Sequence, residues 1–219
     1  GQYLGRALHE SVRAARLEIS QYLVSEGADV NFLDDLDQSA VTPLALAAQI
    51  DNVQFVQLLL ASGADLNLHT AYGFIPLFVA ANIDIARALV AGGADVYVTI
   101  PNKGSRNLAF IDNTEFLRFF LERGVDPNHT DTFGQTPLHS ACLSKKGADD
   151  AEARVELLLQ FGAKTVEKAK IIGGTPVDCA MGKNYWEVVK TLEPLVQDPE
   201  LKLRIARWWE GREGEYVNG

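Results

Sequence analysis

The sequence lacks any run of apolar residues near the roughly 18 that a membrane-spanning helix needs. It also lacks the basic, apolar and small-residue succession of a signal peptide at its N-terminus. Cysteine is scarce, with two in 219 residues, which excludes a disulfide-built scaffold and fits a reducing, intracellular and cytoplasmic setting. Basic residues are in deficit: 20 Lys and Arg against 29 Asp and Glu give a net charge of −9. A duplex backbone repels such a surface, which argues against nucleic acid as a ligand and favours a basic or polar protein partner. No glycine pair is followed by the Lys-Ser/Thr of a phosphate loop, and neither cysteine stands at metal-ligand spacing. No cofactor, no metal and no membrane contact are therefore expected. Gly1 in place of methionine suggests a tag scar or an excised fragment.

What is present is ordinary in composition and unusual in order. An apolar content of 47% with 22% charged residues suits a folded chain. One stretch, Asp131-Thr132-Phe133-Gly134-Gln135-Thr136-Pro137-Leu138-His139-Ser140-Ala141-Cys142, recurs in degraded form along the chain. Its helix-start marker reads Thr42-Pro43-Leu44, Ile75-Pro76-Leu77, Arg106-Asn107-Leu108, Thr136-Pro137-Leu138 and Thr175-Pro176-Val177, with Gly5-Arg6-Ala7-Leu8-His9 as a weaker first copy. A second marker follows each of the first five. It reads Leu23-Val24-Ser25-Glu26-Gly27-Ala28-Asp29 and Leu59-Leu60-Ala61-Ser62-Gly63-Ala64-Asp65, with counterparts beginning at Leu89, Phe120 and Leu158.

These markers, in phase along nearly the whole sequence, resemble the ankyrin-repeat family, whose unit of about 33 residues carries a Thr-Pro-Leu-His-x-Ala pattern. The full pattern stands unbroken at 136–141. The resemblance implies an all-α solenoid of stacked helix hairpins with protruding turns. Six repeats would occupy residues 1–197, and a C-terminal capping helix and tail residues 198–219. The residues support the same architecture on physical grounds. Threonine before proline caps free backbone N–H groups and proline presets φ. Small pairs such as Ala47-Ala48 admit close neighbours, and the leucine pairs give a second amphipathic helix. The glycine after them suits a left-handed helix end. One such hairpin cannot bury its own apolar face, so stacking is required.

The repeats are not uniform. Repeat one begins directly in its inner helix, and Glu10, Arg13, Arg16 and Glu18 make it a polar end cap. Asp34, Asp35 and Asp37 fall in a long link read as solvated loop. Repeats three and four each lack three residues relative to repeat two, which implies a shortened connection between their two helices. Repeat five carries an insertion, Ser144 to Asp150, expected as an exposed loop. Asp198-Pro199-Glu200 starts a last helix that presents Leu201, Ile205, Trp208 and Trp209 on one face.

Candidate chemistry is thin. His69 and His129 lie two repeats apart, about 20 Å at ordinary helix spacing, and cannot share an ion. His9 and His139 hold the repeat's own histidine position, where the resemblance implies a ring tying turn to helix. Asn128-His129-Thr130 matches a glycosylation acceptor, but it lies within the repeat and reads as chance. Asp112, His139 and Asp178 could face one inner groove and do acid–base work. Asp112 is equally explained by capping, and Asp178 by accepting a local hydrogen bond. No residue is assigned as catalytic.

The resemblance implies a protein–protein interaction module, not itself catalytic, that holds its partner on the concave face formed by turn tips and inner helices. By position these are Gln38, Ser39, Gln49, Tyr72, Phe74, Phe78, Asn82, Lys103, Asn113, Thr132, Phe133, Gln135 and Leu143. Tyr72, Phe74 and Phe133 stand where the repeat demands no aromatic, and aromatics are enriched among binding hot spots. Two alternatives stay open: an enzyme or small-ligand binder using the groove near Asp112, His139 and Asp178, or a targeting arm of a larger multidomain protein.

Overall fold

The structure is a computed structural model. It describes residues 2–33, 41–70, 73, 75–97, 113–131, 133–165, 168–169 and 174–211. These form helices joined by turns, in two compact bodies, Gly1–Lys103 and Gly104–Gly219.

In the first body, α1 (Gln2–Arg13) pairs with α2 (Leu17–Ser25), and α3 (Pro43–Gln49) pairs with α4 (Val53–Ala61). A short 3-10 turn (Pro76–Val79) pairs with α5 (Ile83–Ala91). The starts follow the chemistry of the sequence. The Ala45 N–H donates to Thr42 Oγ1 at 3.1 Å ahead of Pro43, and the Ile85 N–H donates to Asn82 Oδ1 at 2.9 Å. The ends do too. Gly63 sits at φ +83°, which reverses the chain so that the Ala64 N–H donates to the Leu59 carbonyl at 2.9 Å. The same bond closes α2 and α5, from Ala28 to Leu23 and from Ala94 to Leu89.

The three residues missing from repeat three come out of the inner helix, not out of the connection as expected. Residues 50–52 join α3 to α4 and residues 80–82 join the 3-10 turn to α5, while the inner element falls from seven residues to four. The connection has to be kept because its last residue, Asn52 or Asn82, caps the outer helix. Less than two turns of helix then remain, and the tighter 3-10 geometry uses them. The corresponding inner segment of repeat four lies outside the described residues.

The second body contains α6 (Thr114–Leu121), then α7 (Pro137–Cys142) with α8 (Ala148–Gln160), then α9 (Pro176–Lys183) with α10 (Trp186–Leu192). A 3-10 turn (Glu193–Leu195) leads to α11 (Pro199–Glu210), which Asp198 caps by accepting from the Glu200 N–H at 3.0 Å. Each repeat whose inner segment is described carries one core residue at the same point. Leu8, Leu44, Leu77, Leu138 and Val177 are all buried to within 1%.

The insertion of repeat five is an exposed loop only in part: Lys145 and Lys146 lie outside any helix and are exposed, but the rest is built into the fold. Ala148, Asp149 and Asp150 extend α8 to 13 residues. Ser144 is buried, donating from Oγ to Asp150 Oδ2 at 2.7 Å, while its carbonyl accepts from the Tyr185 hydroxyl at 2.6 Å. Asp150 in turn lies 3.6 Å from Arg154, which is wholly buried. A buried guanidinium needs such partners, and the insertion brings them.

Candidate functional site

The recurring turn is held rigidly at 131–136. Asp131 Oδ1 accepts from the backbone N–H groups of Phe133 and Gln135, each at 2.8 Å. The backbone closes the turn from the other side, Asp131 N–H donating to the Gln135 carbonyl and Gly134 N–H to the Asp131 carbonyl, both at 3.0 Å. None of these bonds uses the Phe133 side chain, which is 46% exposed. Gln135 is half-buried, and so is Leu143, the residue that caps the end of α7.

The other candidates divide three ways. Gln49, the last residue of α3, is exposed, and Phe78 in the first 3-10 turn is half-buried. Asn82 and Asn113 are already employed. Asn82 Oδ1 caps α5 while its Nδ2 donates to Asp51, and Asn113 Oδ1 caps α6 by accepting from Glu115 and Phe116. Gln38, Ser39, Tyr72, Phe74, Lys103, Thr132 and Asp112 lie outside the described residues.

The two groove residues that are described have their polar atoms occupied by the fold. His139 is fully buried, and its Nδ1 accepts from the Thr136 N–H at 3.1 Å. That leaves Nε2 as the donor, 3.2 Å from the Gly174 carbonyl in the turn of the next repeat. The ring therefore ties its own turn to its helix and also to the neighbouring repeat. Asp178 holds the same position in repeat six. Its Oδ2 accepts from the Thr175 N–H and hydroxyl, both at 2.8 Å, while Arg204 on α11 forks onto both carboxylate oxygens at 2.7 and 3.2 Å. Sequence reasoning saw that Asp178 could be satisfied locally, but missed Arg204. The signal was available, since Arg204 lies within a helix whose apolar face was already assigned.

The thiols nearby are quiet. Burial pushes Cys142 well above its usual range, the neighbouring Cys179 adds to this, and Arg154 opposes it. Burial, with Asp178 second, pushes Cys179 up to about 11. Both stay protonated at neutral pH, and a protonated thiol is a poor nucleophile.

A family model described as ankyrin repeats in three copies matches residues 8–100 and again 107–202. The chain belongs to the ankyrin-repeat family. Its curated relatives include a putative ankyrin repeat protein of fowlpox virus, FPV031, 26% identical over 80% of this chain and 43% of its own length. The human mitochondrial disaggregase is 32% identical over 90% of this chain and 27% of its own. The chain thus spans less than half the length of these relatives. Among solved structures, an ankyrin repeat domain of Acinetobacter baumannii, ABAYE2397, superposes with a TM-score of 0.73 at 26% identity, covering 84% of this chain and 95% of that one. A chain from the complex of the Bdellovibrio bacteriovorus predatory endopeptidase Bd0816 with immunity protein Bd3460 gives 0.73 at 25%, covering 86% and 97%. Ankyrin repeats are in general protein–protein interaction modules. No helix among the described residues of this ankyrin-repeat chain is long and apolar enough to cross a membrane.

Proposed function

We propose that this ankyrin-repeat chain binds a protein partner through the turn tips and exposed inner-helix faces of its repeats, without chemistry of its own. The observation that carries the reading is the Phe133 side chain, nearly half exposed on a turn whose described bonds make no use of it. An apolar ring held out by a rigid turn loses little conformational freedom on binding and brings a large contact area. Gln135 and Leu143, both half-buried, join it by sequence position in the second body. In the first body Gln49, Phe78, Tyr72 and Phe74 hold the corresponding sequence positions. The complex of the Bdellovibrio endopeptidase with its immunity protein offers a precedent for a similar fold inside a protein–protein assembly. A net charge of −9 favours a basic or polar partner.

Capture from lysate with the whole chain, identification by mass spectrometry and titration of the purified partner test this. Phe133→Ala should weaken affinity about tenfold or more while leaving the far-ultraviolet circular dichroism unchanged. Equal affinity for both forms would remove Phe133 from the interface and redirect the search to the outer helices.

A further inference from the structure

One turn of the stack gives up acidic side chains that the others use. α2, α4, α5 and α6 each run into a glycine, an apolar residue and an aspartate, the last being Asp29, Asp65, Asp95 and Asp126. Each of these carboxylates accepts from the backbone N–H two residues on, at 2.9, 2.8, 2.8 and 2.8 Å, which holds the turn. After α8 the sequence reads Gly162-Ala163-Lys164, and an ammonium can only donate. A second carboxylate is lost a few residues later. Ala169 closes its turn as Asp131 does, its N–H donating to the Gly174 carbonyl at 3.1 Å, but it has no side chain to accept the N–H groups that Asp131 gathers. Residues 163–174 hold three lysines and one glutamate, whereas residues 28–41, 64–75, 94–105 and 125–135 together hold eight aspartates and one lysine. A departure that discards a bond the fold uses elsewhere points to a position serving something other than the fold.

This lysine turn is fastened beside the one that presents Phe133. At one end Asn128 Oδ1 accepts from the Lys164 N–H at 2.7 Å, and its Nδ2 donates to the Gly162 carbonyl at 3.1 Å. At the other end the His139 ring reaches the Gly174 carbonyl at 3.2 Å. Lys164 and Lys168 are exposed and form no ion pair among the described residues. We propose that this turn is the charged half of the partner site and takes an acidic protein segment, with an apolar side chain against Phe133 and carboxylates against Lys164 and Lys168. The proposal rests on the reading of Phe133 as a partner contact and adds the sign of what binds there. The chain's net charge of −9 does not oppose it, because charges beyond about 10 Å are largely screened at 0.1 M salt and the nearest groups decide the contact. A long phosphate backbone would meet the rest of that acidic chain, whereas a short acidic segment need not.

Fluorescence anisotropy on the whole chain tests this with a labelled peptide of about twelve residues, glutamates around a central leucine pair. Its lysine counterpart and a single-stranded oligonucleotide of equal length serve as the comparisons. The acidic peptide should bind at least about tenfold more tightly than either at about 50 mM salt, and the difference should shrink at about 500 mM. Lys164→Glu combined with Lys168→Glu, both at exposed positions, should weaken it about tenfold. Lys164→Asp separates binding from folding: it returns the aspartate of the other turns, so it should keep or raise the urea midpoint while weakening the peptide. No binding of the acidic peptide up to about 1 mM overturns the proposal, as does tighter binding of either comparison or unchanged affinity in the lysine variants. A lower urea midpoint for Lys164→Asp overturns it too, by making the lysine a structural residue. The effect of Phe133→Ala on the captured partner belongs to the partner-binding reading, so the two can fail separately.

Discussion

At the scale of single residues, one repeat position is filled by two chemistries, and each depends on what lies beyond it. His139 has a donor left over after its Nδ1 is used, and the carbonyl of Gly174 receives it. Asp178 has only acceptors, and repeat six has no following turn, so the cation Arg204 completes it instead. His139→Ala should lower unfolding free energy by about 2–3 kcal/mol in urea titrations, since it leaves the Thr136 N–H and the Gly174 carbonyl without their shared partner. His139→Asp should be at least as harmful, although aspartate works at 178, because it would aim a carboxylate at the Gly174 carbonyl. A milder result for the aspartate variant would mean that the link to the next repeat contributes little. The thiols give a pH dependence of definite sign. Cys179 ionises near 9 when unfolded but only at about 11 when folded. Above pH 9 the unfolded state has lost protons that the folded state keeps, so stability is full below that pH and falls as pH rises toward 11. Stability measured between pH 7 and 10.5 should decline, and Cys179→Ala should flatten part of the decline.

At the scale of elements, the departures from the repeat show which parts are negotiable. The outer helices and their asparagine caps keep their form when three residues are lost, and the inner helix of repeat three becomes a 3-10 turn. Repeat five gains residues, and they become the first turn of α8 with a buried polar cluster beneath it. Arg154 stands where other repeats have Phe55, Ile85 or Val188. Arg154→Met should therefore be close to neutral or stabilising, as apolar replacements of buried ion pairs often are. Asp150→Ala should cost more, because it takes away the carboxylate beside the buried guanidinium and the acceptor of the Ser144 hydroxyl. Denaturant melts of the two variants check the order, and a larger loss for Arg154→Met would reverse it. The same contrast explains what the sequence made legible. Caps, helix-ending glycines and the Thr-Pro-Leu starts satisfy local backbone needs, so each can be read within a few residues. The fate of Ser144 to Asp150 depends on Tyr185 in the next repeat, 41 positions from Ser144, and no local pattern announces that. The candidate site was legible on the local side of that line. The turn that presents Phe133 was legible from Asp131 and Gly134. Asn82 and Asn113 could be read from sequence as residues available to cap the outer helices, and capping is what uses them.

At the scale of the whole molecule, a solenoid is stabilised by neighbours, so its two ends are its weakest parts. In the second body α11 covers repeat six, with Leu201 and Ile205 buried. All three tryptophans of the chain gather there: Trp186 on α10 lies 5.1 Å from Trp208 and 5.8 Å from Trp209 by ring centroid. Trp208 Nε1 donates to the Met181 carbonyl at 3.2 Å and Trp209 Nε1 to Glu193 at 3.1 Å. Tryptophan fluorescence thus reports on the trailing end alone, while the helical circular dichroism signal sums every repeat. In a urea titration the fluorescence transition should precede the dichroism transition, because among the described residues α11 is tied to repeat six alone. Arg204→Met removes the charge on Asp178's exposed flank and leaves the apolar seat of Leu201 and Ile205 in place. It should move the fluorescence midpoint to lower urea and leave the main dichroism midpoint within error, with a cost of about 1 kcal/mol for a partly exposed pair. Coincident transitions in both proteins would instead make the closing helix part of a single cooperative unit, bound to the repeats as firmly as they are to one another.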